Sequence, residues 1–351
     1  MTEAKGTTLG RAATFGLCLM MLAGCQTTEA PPPGPDIAQL QKQAVSAQRM
    51  GQHDTALKFY LEILDAEPEN MAVIYQIGQI QAQLGHYDHA IKAFHDVLRA
   101  LPDHREAMTA LALVHMETGD VREAYTYLDK ATEMDQERLI VADEALKVLV
   151  GDPESQDWHQ LDADSPIQAY LALGILTDLD GDYEAAQRLY RLVLEQNPTH
   201  VRALNNLGYS YYLAGDLIRA EIFLRQATQR QPDFTRAWTN LGLVYVRMGN
   251  SERAFNAFKR VMPDADAYND IGYFAMLEGR FTEAETLFLK AIDASPTYFA
   301  KAQDNLRKVQ QLKGSAGVAR IGAGRSDVRE ALIKARINQT GFARPHDESG
   351  Q

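Results

Sequence analysis

The sequence has few cysteines and tryptophans and no excess of positive charge. Both cysteines, Cys18 and Cys25, lie near the N-terminus. The rest of the chain therefore has neither a disulfide framework nor a CxxC zinc site. The formal net charge is −12 over 351 residues, which argues against a general nucleic-acid-binding protein, because such proteins carry a basic surface. We read the acidity as that of a solvated outer face.

What the sequence does contain is an internal repeat of about 34 residues. It is clearest in Val201–Asp233, where two helix-length halves meet at Gly215-Asp216 and Pro232 closes the second half. Small residues occupy the eighth place (Gly208) and the twentieth place (Ala220). The pattern returns in the next unit with Trp238, Leu241, Gly242, Tyr245, Gly249, Ala254 and Phe258. This spacing resembles the tetratricopeptide repeat.

Each feature of the repeat has a physical reason. The glycine at the eighth place lets the first helix lie close to the second, at the alanine of the twentieth place. Large residues at the fourth, eleventh and twenty-fourth places fill the space around this contact. The later glycine supplies a turn that needs positive φ, and proline ends the second helix. The resemblance implies an all-α fold, a right-handed superhelical solenoid of helix–turn–helix units, which suits a chain too long for one core.

The repeat frame predicts the organisation of the chain. Three units occupy residues 37–138, four occupy 167–298, a capping helix covers 299–313, and a flexible tail with a possible short helix fills 314–351. Residues 139–166 form a degenerate acidic connector, and Gln136 replaces the closing proline before it, so the preceding helix is expected to run on. Trp158 in the connector either fills a gap between helices or contacts a partner.

The N-terminus has the features of an export signal. Residues 1–24 carry Lys5 and Arg11, followed by an apolar run too short to span a bilayer comfortably and then by small residues. Leu22-Ala23-Gly24-Cys25 resembles the bacterial lipobox. That resemblance implies a diacylglycerol and further acyl lipid on Cys25, which is stable anchoring. The alternative is an ordinary cleaved signal with an accidental cysteine.

The residues after Cys25 are expected to set how far the folded part lies from the membrane. Residues 25–36 contain three consecutive prolines, which favour a semi-rigid extended spacer. Gln26 stands where the enteric sorting rule places Asp for retention at the inner membrane. We therefore expect an outer-membrane lipoprotein with its folded part in the periplasm.

The sequence offers no catalytic constellation. It has no Gly-rich phosphate loop, no HExxH and no GxSxG motif. Four histidines lie near one another in sequence (His86, His89, His95 and His104). The repeat frame places His86 in a turn and His89 and His95 on different faces of the second helix, as expected of surface histidines. Carboxylates follow the turns or the solvent face. We expect no enzyme activity, no metal, no small-molecule substrate and no cofactor apart from the lipid on Cys25.

The tetratricopeptide resemblance also implies a binding groove. In that family, the second, fifth, ninth, twelfth and thirteenth places of each unit line the concave wall. Tyrosines, amides and arginines at these places suit an extended peptide, or else the tyrosines pack against the next unit. The predicted groove residues are Arg202, Asn205, Tyr209, Tyr212, Arg236, Thr239, Arg247, Asn269 and Tyr273.

A narrower resemblance concerns the last unit and its cap. The segment that begins AYNDIGYFAMLEGRF, with the whole architecture, is similar to the TadD lipoproteins of the tight-adherence (Flp pilus) system. Those proteins assist secretin assembly or localisation and pilus export. The resemblance implies a protein-binding scaffold whose partner is a secretin or another pilus component. The alternative is a lipoprotein accessory factor of outer-membrane protein insertion or of a cell-wall synthase.

Overall fold

All regular elements in the described residues are α-helices. The structure, a computed structural model, describes residues 36–150 and 158–315. The helices are α1 Ile37–Arg49, α2 His53–Ala66, α3 Met71–Gln83, α4 Tyr87–Ala100, α5 Arg105–Thr118, α6 Val121–Val150, α7 Ile167–Asp180, α8 Tyr183–Gln196, α9 Val201–Ala214, α10 Leu217–Arg230, α11 Thr235–Arg247, α12 Ser251–Phe258, α13 Asp264–Leu277, α14 Phe281–Ala294 and α15 Ala300–Ser315. The all-α prediction is confirmed. The predicted signal segment, Cys25, the linker before residue 36 and the tail beyond residue 315 lie outside the described residues.

Each odd-numbered helix up to α13 packs against the helix that follows it. A glycine turn connects the two helices. These are the first and second helices of a unit. The turn glycines have positive φ, for example +88° at both Gly181 and Gly215. The residue after the glycine often begins the second helix with a side-chain cap: Asp216 accepts a hydrogen bond from the amide of Arg219 at 2.9 Å. The predicted turn chemistry is confirmed.

The glycine at the eighth place lies against the large side chain at the twenty-fourth place. A Cβ added to Gly242 would lie 2.5 Å from the ring of Phe258, and one added to Gly174 would lie 2.6 Å from the ring of Tyr190. Both rings are buried. The sequence analysis placed the alanine of the twentieth place at this contact and the large residue of the twenty-fourth place around it. At Gly208 both are near, since an added Cβ would lie 2.7 Å from Leu224 Cγ and 3.2 Å from the carbonyl oxygen of Ala220.

The two groups of units meet where α6 extends past its repeat. Gln136, which replaces the closing proline, uses its side chain to join α6 to the next segment. Its Nε2 donates to the Tyr170 hydroxyl at 2.9 Å, and its Oε1 accepts from the His159 amide at 2.6 Å. Trp158 packs edge-on against Tyr170 with ring centroids 6.1 Å apart. Trp158 therefore packs against the core, as its gap-filling interpretation predicts.

A buried carboxylate strengthens the same junction. Asp135 has 0% exposure, and it accepts hydrogen bonds from Arg105 Nη1 at 2.6 Å and from the Tyr170 hydroxyl at 2.9 Å. Arg138 donates to Asp135 and also, through two nitrogens at 2.7 Å, to Asp162. Hydrogen bonds from Arg138 hold the pKa of Asp162 well below its usual range. Residues 158–166 are therefore fixed onto α6 by charge-assisted hydrogen bonds.

We predict that Gly242→Ala destabilises the protein. The added methyl group overlaps the Phe258 ring, and this cost exceeds the roughly 1 kcal/mol that alanine gains in helix propensity, leaving a net loss of about 1–2 kcal/mol. Thermal unfolding followed by circular dichroism measures it. The pair Ala112 and Leu128 occupies the equivalent places of another unit, and both residues are buried. The double variant Gly242→Ala, Phe258→Leu should therefore lose less stability than the two single variants lose in sum. Strictly additive losses of stability would contradict the overlap.

A second prediction concerns Asp162→Asn. A carboxylate whose folded-state pKa is depressed adds stability above its unfolded pKa of about 3.9, and this is lost as the pH falls through the folded pKa. The variant should therefore unfold at a lower temperature than the wild type near neutral pH, and the difference should shrink as the pH is lowered to about 2. A difference that stays constant across this range would show that the pair with Arg138 contributes nothing to folding.

Candidate functional site

The first helices form one continuous wall. From α3 to α15, each first helix contacts the first helix of the next unit, and α15 continues this row. In the described residues, no contact of comparable strength joins successive second helices. Since the first helices lie closer together than the second helices, the row of units curves with the first helices inside. We call the surface of α7, α9, α11, α13 and α15 the inner wall.

Two of the predicted groove residues hold neighbouring units together. Asn205 on α9 is 3% exposed, and its Oδ1 accepts a hydrogen bond from Asn240 Nδ2 at 2.9 Å. Asn269 on α13 is 0% exposed, and its Oδ1 accepts from Asn305 Nδ2 at 2.9 Å. Such buried amides need partners, because an unpaired one loses its hydration without compensation. Asn205 and Asn269 therefore act as links between first helices.

The two predicted tyrosines of α9 are also buried. The Tyr209 and Tyr212 rings stack with centroids 5.6 Å apart, and the two residues are 6% and 4% exposed. Arg247 on α11 donates to the backbone carbonyl of Tyr212 at 2.7 Å, and its guanidinium lies 5.1 Å from the Tyr212 ring centroid. Burial raises the pKa of the Tyr212 hydroxyl above its usual value. Their placement therefore matches the alternative interpretation, in which these tyrosines pack against the next unit.

The other predicted residues are accessible. Arg202, Arg236, Thr239 and Tyr273 are half-buried and Arg247 is exposed. Thr239 Oγ1 bonds the carbonyl of Thr235 in its own helix at 3.1 Å. These residues bring guanidinium groups, a hydroxyl and a phenol to α9, α11 and α13. We call this set of five the accessible strip of the inner wall.

The sequence analysis missed the partners of these residues. Asn240 and Asn305 complete the amide pairs, and Lys301 forms an ion pair with Asp270 at 3.0 Å. Arg280 Nη2 donates to the carbonyl of Val246 at 2.8 Å. One signal was available, because polar residues recur at the sixth place of successive units as Asn206, Asn240 and Asp270.

The described residues present no arrangement for metal or membrane chemistry. They contain no group of three or more histidine, cysteine or carboxylate side chains placed to hold a metal ion. His104 instead caps α5, where its Nδ1 accepts from the amide of Ala107 at 3.2 Å. None of their helices combines the length and apolar character that crossing a bilayer requires. Cys25, the predicted lipidation site, lies outside them.

Comparisons with known families and structures address the fold. Models of the tetratricopeptide repeat match residues 40–70, 75–137, 179–241 and 239–299, which together span more than half of the chain. No curated protein matches the sequence.

Several solved structures share the architecture at low sequence identity. A tetratricopeptide repeat protein from Parabacteroides merdae has 17% identity and a TM-score of 0.51, covering 78% of this chain and 98% of its own. The Cut9–Hcn1 hetero-tetramer of the APC/C has 16% identity and a TM-score of 0.54, with 76% and 48% covered. PilW, a type IV pilus biogenesis factor, has 19% identity and a TM-score of 0.50, with 63% and 90% covered. Structural similarity at this low sequence identity shows a shared fold alone.

The two classes of predicted groove residues should respond differently to truncation. Asn205→Ala leaves the buried amide of Asn240 without its acceptor, so we expect a loss of about 1–3 kcal/mol in the free energy of unfolding. Thr239→Ala on the accessible strip is the matched control and should change stability by less than about 0.5 kcal/mol. Denaturant unfolding measures both. Equal stability of the two variants would contradict the linking role of Asn205.

Proposed function

The chain belongs to the tetratricopeptide repeat family, and we propose that it is a non-enzymatic scaffold that binds protein segments along its inner wall. The observation that carries this proposal is the accessible strip. Arg202, Arg236, Thr239, Arg247 and Tyr273 lie on a surface whose neighbouring polar residues are already paired internally. All five side chains are at least partly accessible, so a ligand on the inner wall can contact them.

The chemistry of the strip suits an extended peptide. Arginine and tyrosine are enriched at the positions that contribute most to protein–protein binding, because each combines apolar area with directional hydrogen bonds. The amide pairs Asn205–Asn240 and Asn269–Asn305 hold the first helices in register. A wall fixed before binding loses little entropy when the ligand arrives. We therefore infer that the buried residues orient the wall and that the accessible strip contacts the ligand.

We further propose that the protein is held at the outer membrane through lipid on Cys25, with the repeats in the periplasm. The Leu-Ala-Gly-Cys sequence that ends the apolar run supports the lipid, and Gln26 supports the outer membrane. The proline-rich residues 26–35 would separate the first helix from the bilayer. Two or more acyl chains make such anchoring stable.

The proposed partner is a secretin or another component of a Flp-type pilus. The similarity of the last unit and cap to TadD lipoproteins supports this proposal, and it concerns α13, α14 and α15. The fold is also shared with PilW, whose described role is type IV pilus biogenesis. At 19% identity this likeness shows that the architecture occurs in a pilus biogenesis factor.

Cross-linking of the full-length lipidated protein in isolated membranes, followed by mass spectrometry, tests this proposal. We expect a secretin or pilus subunit to be captured by the wild type, and capture to fall about tenfold with Arg236→Glu combined with Tyr273→Ala. Arg230→Glu is the control, because Arg230 is an exposed arginine on the second helix α10. Capture of insertion-machinery or cell-wall synthase components would retain the scaffold and contradict the pilus assignment. Equal capture by the inner-wall variant would contradict the inner wall as the site.

A further inference from the structure

A groove opens on the face opposite the inner wall, between the second helices α10 and α12. It has a volume of about 390 Å³. Its floor is the side of α11 that carries Trp238, Leu241 and Tyr245. Arg225 on α10, Arg253 on α12 and Arg260 just after α12 line its sides. The groove therefore joins an apolar, aromatic floor to three guanidinium groups.

The unit that contributes α12 is short. Residues 235–264 make the shortest of the units, and α12 has 8 residues where α10 and α14 have 14. Thr228 and Gln229, near the end of α10, also line the groove.

The same groove occurs in another part of the chain. Between α4 and α6, a cavity of about 310 Å³ has Met108 of α5 at its floor. His95, Arg99 and Lys130 are among its lining residues. Met108, His95 and Lys130 occupy the repeat places that Trp238, Arg225 and Arg260 occupy in the first groove. The two grooves are therefore lined from matching places of different repeat units.

Aromatic rings hold the cations around α12. Arg253 lies 4.0 Å from the Tyr245 ring centroid, and Arg260 lies 5.5 Å from that of Trp238. The further pairs are Lys259 over Phe255 at 5.5 Å and Lys290 over Tyr268 at 5.7 Å. Such contacts orient a cation without neutralising it.

Local carboxylates neutralise only part of this charge. Glu221 forms ion pairs with Arg225 at 3.7 Å and with Arg253. Within residues 36–150 and 158–315, by contrast, the exposed Arg260 forms no ion pair. The three arginines that line the groove therefore have one carboxylate, Glu221, paired with them.

We propose that the groove between α10 and α12 is a second docking site, which binds an acidic protein segment. Carboxylates of the segment would pair with Arg225, Arg253 and Arg260, and an apolar side chain would lie on Trp238 and Leu241. Charge complementarity selects the ligand. The concave shape favours a peptide over a flat lipid surface, since a bilayer does not enter a groove between two helices. The site is independent of the inner wall, because it lies on the second helices.

Binding of a synthetic peptide to the purified full-length protein in detergent tests the proposal. The probe is a fluorescein-labelled peptide of glutamates with a central phenylalanine. The control peptide has lysines in place of the glutamates. The chain has two tryptophans, so Trp158→Phe leaves Trp238 as the only tryptophan signal. The groove variant is Arg225→Glu and Arg260→Glu together, at two exposed residues that line the groove. The control is Lys58→Glu and Lys92→Glu, two exposed positions with the same change of charge.

We expect the acidic peptide to bind the wild type and to shift the Trp238 emission. The groove variant should bind about tenfold more weakly, and the control should stay within about twofold, since each exposed charge pair contributes a modest and local amount. Arg236→Glu with Tyr273→Ala should bind the peptide normally, which separates this site from the inner wall. Equal weakening of both charge variants, equal binding of the lysine peptide or an unchanged Trp238 emission would overturn the proposal. So would absence of peptide binding, including the case where anionic vesicles bind through the three cations instead.

Discussion

The close contact between two helices of one unit is the interaction on which the rest of the structure depends. A glycine at the eighth place of the first helix leaves room for the aromatic ring at the twenty-fourth place, as Gly174 does for Tyr190 and Gly242 for Phe258. The contact fixes the distance between the two helices, and that distance fixes how much of each helix is left to meet the next unit. Since a repeat unit cannot bury its apolar face alone, an error here would propagate to both neighbouring interfaces.

Polar residues have two structural roles in this arrangement of helices. Buried amides such as Asn205 and Asn240 hydrogen-bond between units, whereas the junction around Asp135 joins the two groups of units through arginines. Both arrangements satisfy groups that would be costly to bury alone. They leave an inner strip with arginine, threonine and tyrosine, and an outer groove with arginine and tryptophan. The proposed scaffold therefore has two faces of different chemistry.

The sequence predicted the fold well, because the repeat places glycines, aromatics and turns at fixed intervals. It predicted the site less well. The family pattern identified which places face the inner wall, but it could not separate Asn205 and Tyr212, which are buried, from Arg236 and Tyr273, which are accessible. That difference depends on partners about one repeat away, such as Asn240 and Arg247. The outer groove likewise depends on which residues of α10, α11 and α12 lie together, and this is visible only in three dimensions.

The central claim is that protein segments bind along the accessible strip of the inner wall. Site-specific photo-cross-linking in living cells tests it most directly, with the photoreactive residue placed at Thr239 and, as the control, at Lys92, an exposed position on α4. The account predicts a discrete protein adduct from position 239 that is absent from position 92 and that disappears with Arg236→Glu. No adduct from position 239, or the same adducts from both positions, would contradict it.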